Sequence, residues 1–175
     1  QGKVRAIGCS NLSAAQLGDA QETARRIGLT GFASTQNEYN LLARNIESDL
    51  GPQIAKYELA LLPYFPLANG LLTGKYKPGQ AAPAGSRLAD APPFFDRYRE
   101  AAQWETAAKL QAFAAARGHT LLELAFSWLA AQPGVSSVIA GASRPEQVEQ
   151  NAGAAGWILT SAELAEVDRM TKPAQ

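Results

Sequence analysis

A chain of 175 residues is long enough to bury a sizeable core as one domain. Its 16 basic and 16 acidic residues balance, which excludes a bulk field suited to nucleic acid or to an anionic membrane surface. A single cysteine, Cys9, excludes an intrachain disulfide framework and fits a reducing compartment, so a cytoplasmic location is expected; a single histidine, His119, excludes a multi-histidine metal site.

No apolar run reaches membrane-spanning length, and no signal-like segment opens the chain. Gln1 leads almost directly into a strand, so the chain reads as cut from something longer, although processing gives the same appearance. Val4 to Gly8 is the first predicted strand, ending in Gly8-Cys9-Ser10-Asn11. Ser13 caps a helix running to about Arg26, and Gly28 and Gly31 end it. Phe32 to Glu38 is the second strand, continued by Tyr39-Asn40-Leu41-Leu42; a short helix over Ser48 to Tyr57 follows, with Asn45 as an alternative start and Gly51-Pro52 weakening its front, and Leu59 to Tyr64 is the third strand.

Lys77 to Pro93 is rich in Pro, Gly and Ala and has no period, which marks a lid-like or mobile loop. Asp96 to Arg117 is an alanine-rich helix broken by Gly118. Thr120 and Glu123 form a capping box for a helix whose Leu121, Leu124, Ala125, Trp128 and Leu129 make an apolar face. Ser136 to Ala140 is the fourth predicted strand. It leads through Gly141-Ala142 into a helix that Ser143 and Glu146 cap as a box, with Pro145 in its first turn. Ser161 is expected to cap the last helix, to Met170. Four strands alternating with helices imply a parallel sheet.

Polar residues collect at the carboxyl end of each strand, where parallel α/β proteins build ligand sites. Ser10, Asn11 and Gln36 offer groups for a carboxamide, and Tyr64 a flat stacking surface. Gly70 and Gly74 let backbone approach a pyrophosphate, with Lys75 and Arg87 adding charge. Arg144, at a helix start, suits one further phosphate. Each group also has a plain structural reading: Tyr64 as core, Lys75 and Arg87 as solvated charges, Asn11 and Asn69 as turn residues. Together they match a nicotinamide dinucleotide phosphate, and no GxGxxG fingerprint supports a Rossmann site.

Four stretches resemble motifs of the aldo-keto reductase family. They are Ile7-Gly8-Cys9-Ser10-Asn11, Gln36-Asn37-Glu38-Tyr39-Asn40, Tyr64-Phe65-Pro66-Leu67-Ala68-Asn69-Gly70-Leu71-Leu72-Thr73-Gly74-Lys75-Tyr76 and Gly141-Ala142-Ser143-Arg144-Pro145-Glu146-Gln147. They look closest to the branch with the voltage-gated potassium channel β subunits and many bacterial reductases. The resemblance implies an α/β fold of the (β/α)₈ TIM barrel type. This chain would cover about its C-terminal half as four parallel strands with flanking helices, with no separate second domain. It implies NADPH (NADP⁺) as cofactor. Ser10, Asn11 and Gln36 would hold the nicotinamide carboxamide and Tyr64 would stack on its ring. Phe65, Pro66, Leu67, Ala68, Asn69, Gly70, Lys75 and Arg87 would line the pyrophosphate. Gly141, Ser143, Arg144, Gln147, Gln150 and Asn151 would hold the adenosine and its 2′-phosphate, with Gln150 standing where the family often has glutamate.

The family's catalytic Asp, Tyr, Lys and His lie on its first four strands, and no residue here matches any of them. The resemblance therefore implies an NADPH-dependent reductase of aldehydes and ketones for which this chain supplies the cofactor half. The isolated chain is expected to be inactive. Its expected partners are a small carbonyl substrate and either the missing N-terminal half-barrel or a second half-barrel, without which two strand edges stay unpaired. The alternative reading is a nucleotide-binding or regulatory half-barrel without turnover.

Overall fold

The computed structural model describes residues 2–172 apart from 78, 85, 87 and 90–92, and of residues 93–95 the backbone alone. Among the described residues, β1 (Gly8–Ser10), β2 (Ser34–Glu38) and β3 (Ala60–Tyr64) form a parallel sheet in that order. Gly8 pairs with Ser34 and Ser10 with Gln36; Ser34 pairs with Ala60 and Glu38 with Tyr64. The crossovers that parallel pairing requires are α1 (Ala14–Arg26), between β1 and β2, and α2 (Gly51–Lys56), between β2 and β3.

The period-2 alternation of strands separates two faces. Thr35, Asn37, Leu61 and Pro63 are buried, and Leu61 belongs to one core with Leu17, Leu50, Ile54 and Trp128. Ser34, Gln36, Glu38, Leu62 and Tyr64 are half-buried on the opposite face. The helices thus cover one side of the sheet.

Two predicted strands are corrected. The first pairs over Gly8–Ser10 rather than Val4–Gly8, and Val4 and Ile7 are 69% and 49% exposed. Apolar character favoured Val4–Gly8, but pairing depends on a partner, and the only bond to this stretch ahead of the ladder is Ala33 N–H to the Ile7 carbonyl at 2.8 Å among the described backbone contacts. The fourth is not a continuous strand, so the four-strand expectation becomes a three-stranded sheet with a bridged flank. Parallel bridges join Leu61 to Val135 and Tyr64 to Ile139. Four residue steps on the outer side oppose three on β3, and the extra residue interrupts the ladder as a bulge does. The segment still runs alongside β3, with Ser136 N–H on the Leu61 carbonyl at 3.0 Å and Ile139 N–H on the Pro63 carbonyl at 2.8 Å.

The helix predictions rest on local chemistry; the caps of the first and fourth helices hold, and those of the last two are corrected. α1 carries the Ser13–Gln16 capping box, and α4 (Leu121–Ala130) the Thr120–Glu123 box. The predicted apolar face of α4 is buried throughout. The long alanine-rich helix is divided into a 3₁₀ segment, Pro93–Arg99, and α3 (Ala101–Ala115). The helix expected from Ser48 to Tyr57 is shortened to α2, behind a 3₁₀ turn at Asn45–Glu47. α5 (Pro145–Gly153) starts on Pro145 as expected, but Arg144 is its N-cap and no side chain caps it. α6 (Ser161–Thr171) is capped by Thr160, boxed with Glu163, rather than by Ser161. The Arg44 side chain, only 6% exposed, bonds Glu47 at 2.6 Å and Asp168 at 2.8 Å and lies over the Trp128 ring; it ties α6 to the connection after β2. No helix among the described residues is long and apolar enough to cross a membrane.

Candidate functional site

Parallel pairing brings the carboxyl ends of β1, β2 and β3 and the flank ending at Ala140 to one edge. Four of the predicted site residues are joined there. The Ser10 hydroxyl donates to the Gln36 backbone carbonyl at 3.0 Å. Asn11 Nδ2 donates to Ser10 Oγ at 3.0 Å, and the Tyr64 hydroxyl donates to Asn11 Oδ1 at 2.8 Å. Asn11 sits at φ 58°, a left-handed conformation that Asn tolerates better than most residues, and its N–H also reaches the Gln36 carbonyl at 3.1 Å. Burial, and after it the Glu38 carboxylate, hold the Tyr64 phenol above its ordinary value, so it remains a donor at neutral pH. Gly8, Ser10, Ser34, Gln36 and Leu62 line a cavity of about 300 Å³ beside this network.

Beyond Tyr64 the backbone turns sharply. Phe65, Ala68 and Asn69 have φ of 53°, 46° and 59°, and Gly70 has 98°. Left-handed conformation costs a non-glycine residue roughly 1–2 kcal/mol, so three in six residues form an over-determined turn of the kind that clusters at functional sites. The 3₁₀ segment Ala68–Thr73 follows, and the Thr73 hydroxyl holds the Gly70 carbonyl at 2.7 Å. A Cβ placed on Gly70 would lie 3.5 Å from Lys75 Nζ, which brings the predicted lysine over the predicted glycine. Lys75 Nζ also lies 5.1 Å from the Tyr76 ring centre. Asn69 is 2% exposed, and neither of its side-chain polar atoms has a protein partner. An orphaned, buried amide in such a turn has the chemistry of a group waiting for a bound partner.

The third group is at the start of α5. Ser143, Arg144 and Gln150 are exposed, and Gln147 and Asn151 half-buried. Gln147 Oε1 accepts from Ser143 N–H at 2.8 Å and from the Ser143 hydroxyl at 3.2 Å, which satisfies the helix entrance in place of the Ser143–Glu146 box. Gly141 follows two residues after Ile139, the bridge partner of Tyr64. The start of α5 therefore shares an edge with the Ser10–Tyr64 network, although no described contact joins the two. Arg87 lies outside the described residues.

A larger cavity, about 700 Å³, opens at the amino end of the sheet between Ala33, Ala60 and Gly134. Of its charged walls, Arg44 pairs with Glu47 and Asp168, Lys172 also pairs with Asp168, and Glu58 completes the lining; the cavity lies away from every predicted site residue. No group of three or more His, Cys, Asp or Glu side chains among the described residues is placed to hold a metal. His119 stacks on Trp157 with ring centres 4.1 Å apart and contacts Glu123, a packing role.

The residue that sequence reasoning left out of the site is Asn40. Its buried side chain donates to the Phe65 carbonyl at 3.0 Å and to the Tyr98 hydroxyl at 3.1 Å. Its place inside the stretch Gln36–Asn40 was the available signal; its partners, 25 and 58 residues away, gave none.

The chain matches the family model described as "Aldo/keto reductase family" over residues 1–172. It is 39% identical over 152 residues to a "Probable voltage-gated potassium channel subunit beta" of Oryza sativa subsp. japonica, covering 82% of this chain and 44% of the relative. It is 31% identical over 168 residues to "Aldo-keto reductase YhdN" of Bacillus subtilis (95% and 49%) and 33% identical over 171 residues to "Protein tas" of Escherichia coli (95% and 48%). The chain spans about half the length of the curated relatives it matches. Members of the matched family are oxidoreductases that use a nicotinamide cofactor. The chain belongs to the aldo/keto reductase family.

Proposed function

We propose that this chain forms the NADPH-binding side of a reductase that converts aldehydes or ketones to alcohols. The observation that carries the reading is the joined edge of Ser10, Asn11, Gln36 and Tyr64, set beside the left-handed turn from Phe65 to Gly70. On this reading the chain is the C-terminal half of a (β/α)₈ barrel, and the acid–base groups belong to the other half. That half, or a second half-barrel, is the proposed partner.

Ser10, Asn11 and Gln36 hold the nicotinamide carboxamide, because the hydroxyl and the amides supply both donors and acceptors. Tyr64 offers its ring for stacking while its hydroxyl is occupied by Asn11. The Phe65–Gly70 turn, Lys75 and Arg87 take the pyrophosphate. The unpartnered Asn69 amide fits that role, since a phosphate oxygen satisfies its donors. Gly141, Ser143, Arg144, Gln147, Gln150 and Asn151 take the adenosine and its 2′-phosphate. The bound nicotinamide supplies hydride to a carbonyl carbon; this chain's residues bind and orient it.

Arg144 sets the choice between cofactors on this reading, because a 2′-phosphate needs a charge that NADH does not engage. The complete gene product should reduce a generic aldehyde with NADPH. In it, Arg144→Ala should weaken NADPH binding about tenfold or more, the worth of one charge-assisted bond, and leave NADH binding nearly unchanged. Equal losses for both cofactors remove Arg144 from the 2′-phosphate, and a wild type that binds neither overturns the reading.

A second reading, a nucleotide-binding regulatory module without turnover, is favoured by the similarity to the rice protein, a probable channel subunit. Tight NADPH binding without reduction of any generic aldehyde by the complete gene product selects it.

A further inference from the structure

Asn40 follows β2 and is wholly buried, at 0% exposure. Leu42 N–H donates to its Oδ1 at 2.8 Å, a local turn that assigns which end of the carboxamide is oxygen. Both Nδ2 hydrogens are then accounted for, one on the Phe65 carbonyl at 3.0 Å and one on the Tyr98 hydroxyl at 3.1 Å. That hydroxyl donates onward to Glu38, whose other oxygen pairs with Arg97, so toward Asn40 it acts as an acceptor. Burial, and after it the hydrogen bond to Glu38, hold the Tyr98 phenol above its ordinary value, so it keeps its proton and the order of donors is fixed. Tyr98 is itself held, through Trp104 Nε1 on its carbonyl at 2.8 Å.

The Phe65 carbonyl is where the left-handed turn begins. It also accepts Ala68 N–H at 3.0 Å, and Phe65 itself is at φ 53°. A conformation this unfavourable persists only where surrounding groups impose it. Asn40 reaches that carbonyl from a different strand end and ties it to the 3₁₀ segment Pro93–Arg99, which follows the long loop.

We infer that Asn40 is a positioning residue for the cofactor turn: its buried carboxamide links the Phe65 carbonyl to Tyr98 and Glu38 and so sets the backbone that Phe65–Gly70 presents to a nicotinamide dinucleotide. This rests on the reading of that turn as the pyrophosphate side. Asn40 touches neither cofactor nor substrate; it acts through the turn. The turn in its required shape is bought with a pre-formed network rather than with binding energy, which is the use of preorganisation.

The test uses the complete gene product with Asn40→Ala and Tyr98→Phe. Amide hydrogen exchange is measured without cofactor at Ala68, Gly70 and Leu72, whose N–H groups bond within the turn to Phe65 and Leu67. NADPH and NADH dissociation constants are measured on the same proteins. In Asn40→Ala, exchange should speed up at those three amides and stay unchanged at Leu124 in α4. Both dissociation constants should rise together, by roughly three- to tenfold, the worth of one hydrogen bond. Exchange unchanged at all three amides, exchange rising equally in α4, or a loosened turn with unaltered affinities each overturns the inference. If Asn40→Ala fails to fold, Tyr98→Phe decides alone: it should loosen the same amides to a smaller extent, and no effect on them overturns the link. A wild type that binds neither cofactor defeats the proposed function, and the exchange pattern then still decides whether Asn40 positions the turn.

Discussion

The Tyr64 hydroxyl donates to Asn11 Oδ1 at 2.8 Å, joining the last residue of β3 to the residue just after β1 across the top of β2. The two outer strands of the sheet are thereby held at one spacing at their carboxyl ends. Ser10 and Gln36 complete the span, so a ligand at this edge meets a surface whose parts are fixed relative to one another.

The hydroxyl of Tyr64 braces the edge, and on the proposed function its ring would bind the nicotinamide, so the two roles are separable. Tyr64→Phe removes one partly exposed hydrogen bond and should cost no more than about 1 kcal/mol of stability, because water replaces the donor on Asn11. It should leave cofactor affinity within about threefold, whereas Tyr64→Ala, which deletes the stacking surface, should weaken binding by about tenfold or more. Cofactor fluorescence titration and denaturant melts of the three proteins check this. A Phe variant as damaged as the Ala variant would move the binding role from ring to hydroxyl.

What was legible in the sequence followed from how local each determinant is. The cap at Ser13 and the Thr120–Glu123 box both form, but Ser143 and Glu146 have the same three-residue spacing and form no box, so spacing proposes a cap and the backbone at the helix start decides it. The buried stripe Leu121, Leu124, Ala125, Trp128 and Leu129 follows from helical period. Strand limits are not local. Val4 and Ile7 are as apolar as a strand requires, yet the ladder starts at Gly8 because its register is set opposite Ser34, 26 residues later. The bulge between Val135 and Ile139 depends on β3 in the same manner. At the edge, the residue types announced Ser10, Asn11, Gln36 and Tyr64. Asn40 was hidden because only its burial against Phe65 and Tyr98 distinguishes it from an ordinary turn asparagine.

The corrected cap of α6 is open to a direct comparison between neighbours. Thr160 is extended, at φ −70° and ψ 160°; its Oγ1 accepts from Glu163 N–H at 3.2 Å, and Glu163 Oε2 accepts from Thr160 N–H at 2.7 Å. Ser161 is the first helical residue and is exposed. Thr160→Ala should therefore cost about 1 kcal/mol, while Ser161→Ala should stay within about 0.5 kcal/mol of wild type. Urea denaturation of the two variants measures the difference. Equal costs would return the cap to Ser161.

The two glutamate capping boxes, Thr120–Glu123 and Thr160–Glu163, give the protein a defined acid sensitivity. Hydrogen bonds from the Thr120 backbone N–H and hydroxyl hold the Glu123 carboxyl below its ordinary value, with His119 adding to them; the Thr160 N–H and hydroxyl do the same for Glu163, with Arg117 and His119 adding. A carboxyl depressed in the folded state contributes stability that is present above its unfolded pKa and is lost as pH falls through the lower, folded value. The loss should therefore begin near the ordinary glutamate range, at about pH 4, and deepen below it. Glutamine at the third helical position can still close a capping box but does not titrate. The double variant Glu123→Gln, Glu163→Gln should be slightly less stable at neutral pH, where the helix N-termini lose two favourable charges, and should show a shallower decline on acidification. It should not become flat. At Asp168 burial opposes ionisation, but hydrogen bonds from Lys172 and Arg44 outweigh it and hold this carboxyl below its ordinary value as well. Unfolding free energies from urea titrations between pH 7 and pH 3 test the difference in slope, and an acid limb as steep as that of wild type would show that the two glutamates do not carry it.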